Sequence, residues 1–176
     1  APLQGAITED AGTAIEQLAY TVKEVQRQRR PDRLVVQKLG DIEPDDRLTG
    51  QAPWPAQIED VKAPIRWTRA NAARLDIDPD RILVWGSSAG AHLALMAAAT
   101  PGDPRFEGQG GHPGVSSAVA GVIAVHPPTD LKMSPPPRLG RAEALLGEAP
   151  APEVARAASP LPYVRADFPP TLFLHG

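Results

Sequence analysis

The segment from Ile82 to Ala99 constrains the fold of this 176-residue chain more than any other part of its sequence. Four consecutive apolar residues, Ile82–Trp85, are followed directly by the pentapeptide GSSAG at Gly86–Gly90. The next residues, Ala91–Ala99, are mostly small and apolar. This order predicts a short buried strand, a tight turn and a helix whose small side chains allow it to pack closely against a sheet.

The same alternation of strand and helix recurs along the chain. Apolar runs at Val119–Val125 and Thr171–Leu174 predict two more buried strands, and a shorter run at Leu34–Val36 predicts a fourth. Apolar residues at helical spacing predict a helix over 56–75, in which Pro64 predicts a kink or a break. Apolar strands separated by helices, without polar alternation, predict an α/β fold with a mostly parallel sheet flanked by helices.

The first 45 residues differ from the rest in their sequence pattern. They predict an amphipathic helix that ends at Pro31, then the strand at Leu34–Val36. The four carboxylates in Asp41–Asp46 could form a cation-binding loop or a solvated turn, and the missing glycine and glutamate of a calcium loop favour the turn. We therefore divide the chain into residues 1–45 and an α/β core at 46–176. Four other core segments are predicted: a turn at 76–80, a Gly/Pro loop at 100–114, a short helix at 143–146 and a connector at 159–164.

Composition excludes several classes of function. The formal net charge of −3 gives no basic surplus for nucleic-acid binding. No apolar run approaches the roughly 20 residues of a membrane-spanning helix. The absence of cysteine excludes disulfides, thiolate catalysis and zinc–thiolate sites. No secretory signal is visible, which favours a cytoplasmic location, although a processed secreted chain would look the same.

The pentapeptide at Gly86–Gly90 fits the pattern G-x-S-x-G, which carries a nucleophile in some hydrolases. In that arrangement the central residue adopts a strained backbone conformation, so the flanking glycines are needed to relieve crowding. The Ser88 hydroxyl would then project from the carboxyl edge of the sheet, and the Ala89 amide would point to where an oxyanion develops. The alternative is a Gly/Ser turn with no chemistry.

Several longer stretches carry a resemblance to a known family. In chain order they are PAQIEDVK at 55–62, IRW at 65–67, IDPDRI at 77–82, WGSSAGAHLA at 85–94, PPTDL at 127–131, ASPL at 158–161 and PPTLFLHG at 169–176. Together they resemble the α/β-hydrolase fold, specifically the bacterial carboxylesterase and lipase branch related to hormone-sensitive lipases and feruloyl-esterase-like proteins. The resemblance covers residues 46–176, so we expect this chain to contain part of an α/β-hydrolase fold.

The resemblance implies a serine carboxylic-ester hydrolase that works through an acyl-enzyme at Ser88. A histidine would accept the serine proton and an aspartate would orient that histidine. The Ala89 amide and a second donor from a His-Gly-Gly type loop would form the oxyanion hole. The substrate would be a small-molecule ester, and no metal or organic cofactor is implied.

Two departures from the family pattern affect this expectation. No His-Gly-Gly loop precedes Trp54, so the second oxyanion donor is unassigned. In the family the catalytic aspartate and histidine both follow the segment that ends here at Gly176. We therefore expect the sequence to be a fragment of a longer protein.

Two residues are further candidates for the site. His126 follows the strand after the nucleophile strand and could act as a surrogate base, while Asp130 lies near the expected site mouth and could instead stabilise a turn. The remaining candidates are expected to be structural or solvent-facing: His92 and His175 as satisfied structural histidines, His112 in a solvated loop, and Asp60 as a cap or ion-pair partner.

Two other functions stay open from the sequence. One is a catalytically inactive, truncated relative that acts as a binding or assembly module, in which case an open sheet edge would favour a homo-oligomer. The other is an acyltransferase or serine peptidase of the same fold.

Overall fold

The computed structural model describes residues 35–38, 54–131, 145–146 and 150–175, with the backbone alone at 35–38. Its helices and strands in chain order are β1 (Val35–Lys38), α1 (Ala56–Ala70), α2 (Ala72–Leu75), β2 (Ile82–Ser87), α3 (Ala89–Ala99), α4 (Pro104–Glu107), β3 (Gly121–Val125), α5 (Pro152–Ala157), a 3₁₀ turn (Leu161–Tyr163) and β4 (Thr171–Leu174).

The four strands form one parallel sheet in the order β1-β2-β3-β4. In its register Ser87 lies opposite Val125, and Val125 lies opposite Leu174. The carboxyl ends of β2, β3 and β4 therefore meet at the same edge. The predicted α/β class, with a parallel sheet flanked by helices, is confirmed.

The core lies between one face of the sheet and helices α1 and α3. Burial alternates along β2, where Ile82, Val84 and Gly86 are buried and the residues between them are half-buried. Every residue of α3 after Ala89 is buried. A helix that is apolar on all sides needs cover on all sides, and the small side chains of α3 allow close contact with the strands. The largest buried side chains of this core include Ile58, Ile65, Ile82, Met96, Val84 and Val122.

Helix α1 corrects the prediction made from Pro64. The helix continues through Pro64 from Ala56 to Ala70, and the chain breaks at Asn71 before the short helix α2. The Asn71 backbone N–H and side-chain Nδ2 both donate to the Trp67 carbonyl, at 3.0 and 2.8 Å. A proline inside a helix loses one hydrogen bond, but the buried residues on both sides of Pro64, such as Val61 and Ile65, hold the two halves in one helix.

Two short helices were not predicted. Helix α4 lies inside the predicted loop at 100–114, and α5 lies between the short helix predicted at 143–146 and the connector predicted at 159–164. The Asp103 side chain caps α4 by accepting from the Arg105 N–H at 3.0 Å, and Pro104 occupies the first helical position. An aspartate followed by proline is a local start signal for a helix, which the glycines around it obscure.

Strand β4 has the predicted position, but the prediction that it is buried is wrong. Leu172, Phe173 and Leu174 are 53, 54 and 46% exposed. Consecutive residues of a strand point to opposite faces, so both faces of β4 are open in the described part of the chain. The apolar composition of the run predicts the strand correctly but does not show what covers it.

Several sequence predictions fall on residues outside the described ranges. These are the helix before Pro31 and the acidic segment Asp41–Asp46. The strand predicted at 34–36 corresponds to β1 at 35–38, and residues 145 and 146 of the helix predicted at 143–146 are helical. The division of the chain at residue 45 stays a prediction.

A buried ionic network holds α1 against α4. Glu107 accepts hydrogen bonds from Lys62 at 2.9 Å, Arg66 at 2.6 Å, Ser117 at 2.6 Å and the Gly102 N–H at 2.8 Å. The side chains of Lys62 and Arg66 are 0% and 2% exposed, and that of Glu107 is 21% exposed. Burial alone would raise the pKa of Glu107, but the hydrogen bonds from Ser117 and Lys62 outweigh it and hold the pKa below its usual value.

Replacing Glu107 by alanine is expected to destabilise the protein by about 3–5 kcal/mol, because two buried cations would lose their shared carboxylate. Urea unfolding of the complete protein at pH 7 measures the loss. The control is Asp167→Ala, which removes the exposed ion pair with Arg165 and should cost less than about 1 kcal/mol. Equal effects of the two substitutions would contradict a stabilising role for the network.

The same network predicts a dependence on pH. Since the pKa of Glu107 is lower in the folded state than its ordinary value of 4.5, the unfolded chain binds the proton first as the pH falls. The stabilisation by Glu107 should therefore be complete above about pH 5 and should disappear as the pH falls through the lowered pKa. The stability difference between wild type and Glu107→Gln should shrink over that acid range.

Candidate active site

Ser88 occupies the bend between β2 and α3 and is exposed to solvent. Its backbone has φ 50° and ψ −117°, a conformation that costs a residue with a Cβ about 1–3 kcal/mol. Two hydrogen bonds hold the bend in place. The Ser88 N–H donates to the Val125 carbonyl at 2.8 Å, and the Ser88 carbonyl accepts from the His92 N–H at 3.1 Å. Ser88 is therefore fixed to the end of β3 on one side and to the first turn of α3 on the other.

Gly86 allows the sharp turn that this bend requires. A Cβ at this position would lie 2.3 Å from the Gly90 carbonyl carbon and 2.7 Å from the Ala91 nitrogen. Both atoms belong to the backbone of α3, so they cannot move away as a flexible side chain would. The absence of a side chain at Gly86 thus brings the start of the helix against the end of the strand.

The Ala89 amide lies at the first position of α3. An amide there has no acceptor within its own helix and points out of the helix N-terminus. The aligned peptide dipoles of the 11-residue helix add partial positive charge at the same end. This position suits stabilisation of an oxyanion that forms at Ser88.

Two histidines follow the neighbouring strands at the same edge. His126 comes directly after β3 and His175 directly after β4, and both are exposed. Their ring centroids are 5.3 Å apart. His175 was expected to be a satisfied structural histidine, but it lies at the exposed edge in contact with the His126 ring. Ser88, His126 and His175 thus follow the carboxyl ends of three adjacent parallel strands, where ligands commonly bind in such sheets.

Asp130 lies in the segment that follows β3. Hydrogen bonds join this segment to the part of the chain after α5. Asp130 is half-buried. Its neighbours are held from both sides, since the Leu131 N–H donates to the Ser159 hydroxyl at 2.9 Å and the Leu161 N–H donates to the Thr129 carbonyl at 3.1 Å. Two of the stretches that carry the family resemblance, 127–131 and 158–161, are therefore in contact.

The side chains of His92 and His112 have the structural and solvent-facing positions that the sequence predicts. His92 is 2% exposed and its Nε2 lies 2.6 Å from the Ala158 carbonyl, so it joins α3 to the end of α5. Burial lowers the pKa of His92, which favours the neutral ring. His112 is exposed in the loop before β3. Both predictions are confirmed.

A cavity of about 530 Å³ lies between α1, α4 and the loop before β3. Its lining includes Arg66, Glu107 and Ser117 but not Ser88. The charged groups that line it already bind one another in the ionic network. We place the candidate active site at Ser88 instead, because Ser88 has a strained backbone and is exposed at the carboxyl edge of the sheet.

Comparison with known proteins identifies the family of this chain. The BD-FAE family model matches residues 22–176, which include the four described strands and the complete Ser88 bend. The chain belongs to the BD-FAE family. The predicted resemblance to α/β-hydrolase esterases is thereby confirmed.

Two curated relatives of this BD-FAE chain come from Mycobacterium tuberculosis. Esterase LipQ is 37% identical over 132 residues, which are 70% of this chain and 30% of that protein. Esterase LipC is 32% identical over 151 residues, which are 82% of this chain and 37% of that protein. This BD-FAE chain therefore spans about a third of the length of these relatives.

A solved structure supports the same fold. The truncated form of a carbohydrate esterase from gut microbiota superposes on this BD-FAE chain with a TM-score of 0.66 at 34% identity. The match covers 73% of this chain and 51% of that one. The parallel sheet and its helices are thus part of an α/β-hydrolase fold, as predicted.

Proposed function

We propose that the complete protein is a serine carboxylic-ester hydrolase that forms an acyl-enzyme at Ser88. The observation that carries this proposal is the backbone of Ser88, which is strained, exposed and fixed between β2 and α3. A strained residue persists only where its surroundings hold it, and such residues cluster at functional sites. The names of the relatives, which are esterases, support the same reaction class.

The proposed reaction begins with attack of the Ser88 Oγ on the ester carbonyl carbon. The new C–O bond moves charge to the carbonyl oxygen, which accepts a hydrogen bond from the Ala89 N–H. A general base takes the hydroxyl proton and returns it to the departing alcohol as the old C–O bond breaks. Water then attacks the acyl-enzyme in the same manner, which releases the acid and restores Ser88.

The assignment of the general base and of the carboxylate that orients it rests on the family resemblance. The resemblance to α/β-hydrolases implies that both belong to later parts of the complete protein. Within the described residues, His126 is a candidate for the base because it follows the strand next to Ser88. For Asp130 we propose that it stabilises the turn after β3 at the mouth of the site.

We propose a small-molecule ester as the substrate class, without a metal or organic cofactor in the chemical step. Within the described ranges no helix is long and apolar enough to cross a membrane. The cytoplasmic location, the homo-oligomer and the lack of nucleic-acid binding stay predictions from the sequence.

The experiment is hydrolysis of p-nitrophenyl acetate by the complete protein. We expect release of p-nitrophenol with an initial burst close to one equivalent of enzyme, since acyl-enzyme formation frees the phenol before the slower release of acetate. Absence of hydrolysis, combined with a dimer or larger assembly in solution, would contradict the proposal and favour a binding module.

A further inference from the structure

The carboxyl edge of the sheet carries a pair of histidines that the hydrolytic reaction does not require together. The rings of His126 and His175 lie with their centroids 5.3 Å apart and their planes inclined at 66°. Both side chains are exposed in the described part of the chain, which leaves room there for either ring to turn about its Cβ–Cγ bond. Paired imidazoles with free nitrogen atoms are a common feature of transition-metal sites.

The backbone fixes where this pair stands. His126 has φ 50°, which is uncommon for a residue with a Cβ, although histidine is among the residues enriched there. Its N–H donates to the Leu174 carbonyl at 2.9 Å, directly before His175. The ladder between β3 and β4 and this last hydrogen bond therefore hold the two histidines side by side.

We propose that His126 and His175 form a two-histidine binding site for a divalent first-row transition metal, with Zn²⁺ as the representative ion. Imidazole nitrogen binds Zn²⁺ at about 2.0–2.1 Å, so the metal would lie about 3.2 Å from each ring centroid. With a tetrahedral angle at the metal, the two centroids would then be about 5.2 Å apart. The centroids already have this spacing, at 5.3 Å.

Binding of the ion would require a change of ring orientation. The torsion about Cβ–Cγ of histidine has broad minima, and turning a ring about this bond moves its centroid little. The proposal requires that one nitrogen of each ring turns toward a common point while the strands keep their positions. The ordering cost on binding is small because the backbone at both positions is already fixed.

The donor set determines which ions the site takes. Two neutral imidazoles suit Zn²⁺, Ni²⁺ and Cu²⁺, whereas Mg²⁺ and Ca²⁺ prefer oxygen ligands. In the described part of the chain, no group of three or more His, Asp or Glu side chains is arranged to hold a metal. Water would complete the coordination, so the ion exchanges with solvent and is not a structural zinc of the closed four-ligand type.

Isothermal titration of Zn²⁺ into the complete protein, after removal of any affinity tag, tests the site without substrate. The result is therefore independent of the proposed hydrolysis. Wild type is expected to bind one Zn²⁺ saturably and to show no binding of Mg²⁺. His126→Asn and His175→Gln are each expected to weaken Zn²⁺ binding by at least about tenfold. Loss of a residue that only hydrogen-bonds to a metal ligand already lowers metal affinity by about that factor.

The variants are chosen to keep the fold intact. Asparagine tolerates a positive φ, so His126→Asn preserves the backbone at that position. His112→Ala removes an exposed histidine from a distant loop and should leave Zn²⁺ binding unchanged. The proposal is overturned if wild type shows no saturable binding, if either of the paired variants binds Zn²⁺ like wild type, or if His112→Ala weakens binding as much as they do.

Discussion

Replacement of Ser88 by alanine is expected to lower kcat for p-nitrophenyl acetate on the order of a millionfold, as removal of the nucleophile does in a well-studied serine protease. The physical reason is that the covalent path through the acyl-enzyme is lost, while the Ala89 amide and the substrate-binding groups remain. The residual rate should therefore stay above that of the reaction in water. Initial rates at saturating ester, compared with a blank without enzyme, measure both the loss of kcat and the residual rate above the reaction in water.

Ser87→Ala is the matched control for this substitution. Ser87 belongs to the same pentapeptide but is the last residue of β2, opposite Val125, and it does not occupy the strained bend. Its replacement should leave kcat within about tenfold of wild type. If Ser87→Ala abolishes hydrolysis and Ser88→Ala does not, the nucleophile has been assigned to the wrong residue.

Gly86→Ala is expected to damage both the fold and the site. The added Cβ would lie 2.3 Å from the Gly90 carbonyl carbon and 2.4 Å from its oxygen. Because these are backbone atoms, β2 and α3 would have to separate, and we expect a loss of stability of about 3–5 kcal/mol. In the molecules that still fold, a displacement of Ser88 by about 1 Å should reduce kcat about a hundredfold.

A second glycine provides the control for the Gly86 prediction. At Gly110 an added Cβ would lie 3.1 Å from the Ala63 Cβ, so a relative movement of the two segments by only a few tenths of an ångström would relieve the contact. Gly110→Ala should therefore cost about 1 kcal/mol and leave kcat unchanged. Denaturant unfolding of both variants measures the loss of stability, and ester hydrolysis measures the loss of kcat. Equal stability of the two variants would contradict the close contact between β2 and α3.

The strand, bend and helix around Ser88 could be predicted from sequence because the information is local. The apolar run ending at Trp85, the two glycines and the small residues after Gly90 each specify the backbone of their own segment. The structure moves the boundaries by only two residues, since Gly86 and Ser87 extend β2 and Ala89 begins α3. The order of the strands was not predicted from the sequence, because parallel sheets joined by helices occur in several orders.

Features that depend on distant contacts could not be predicted in the same way. No local sequence pattern identifies the partner of Lys62 and Arg66, which are both buried against Glu107, more than 40 residues further along the chain. Likewise, the contact between His126 and His175 depends on the register of β3 against β4. Sequence periodicity gives the type of element at each position but not the partner that it meets.

The most direct test of the central claim is to label the complete protein with a fluorophosphonate and to sequence the modified peptide by mass spectrometry. Trypsin should release residues 82–105, which contain both Ser87 and Ser88. A nucleophile at the bend predicts one phosphonyl group per molecule, attached to Ser88 and absent from the Ser88→Ala variant. An unlabelled protein that still hydrolyses the ester, or a label on another residue, would contradict the assignment of Ser88 as the nucleophile.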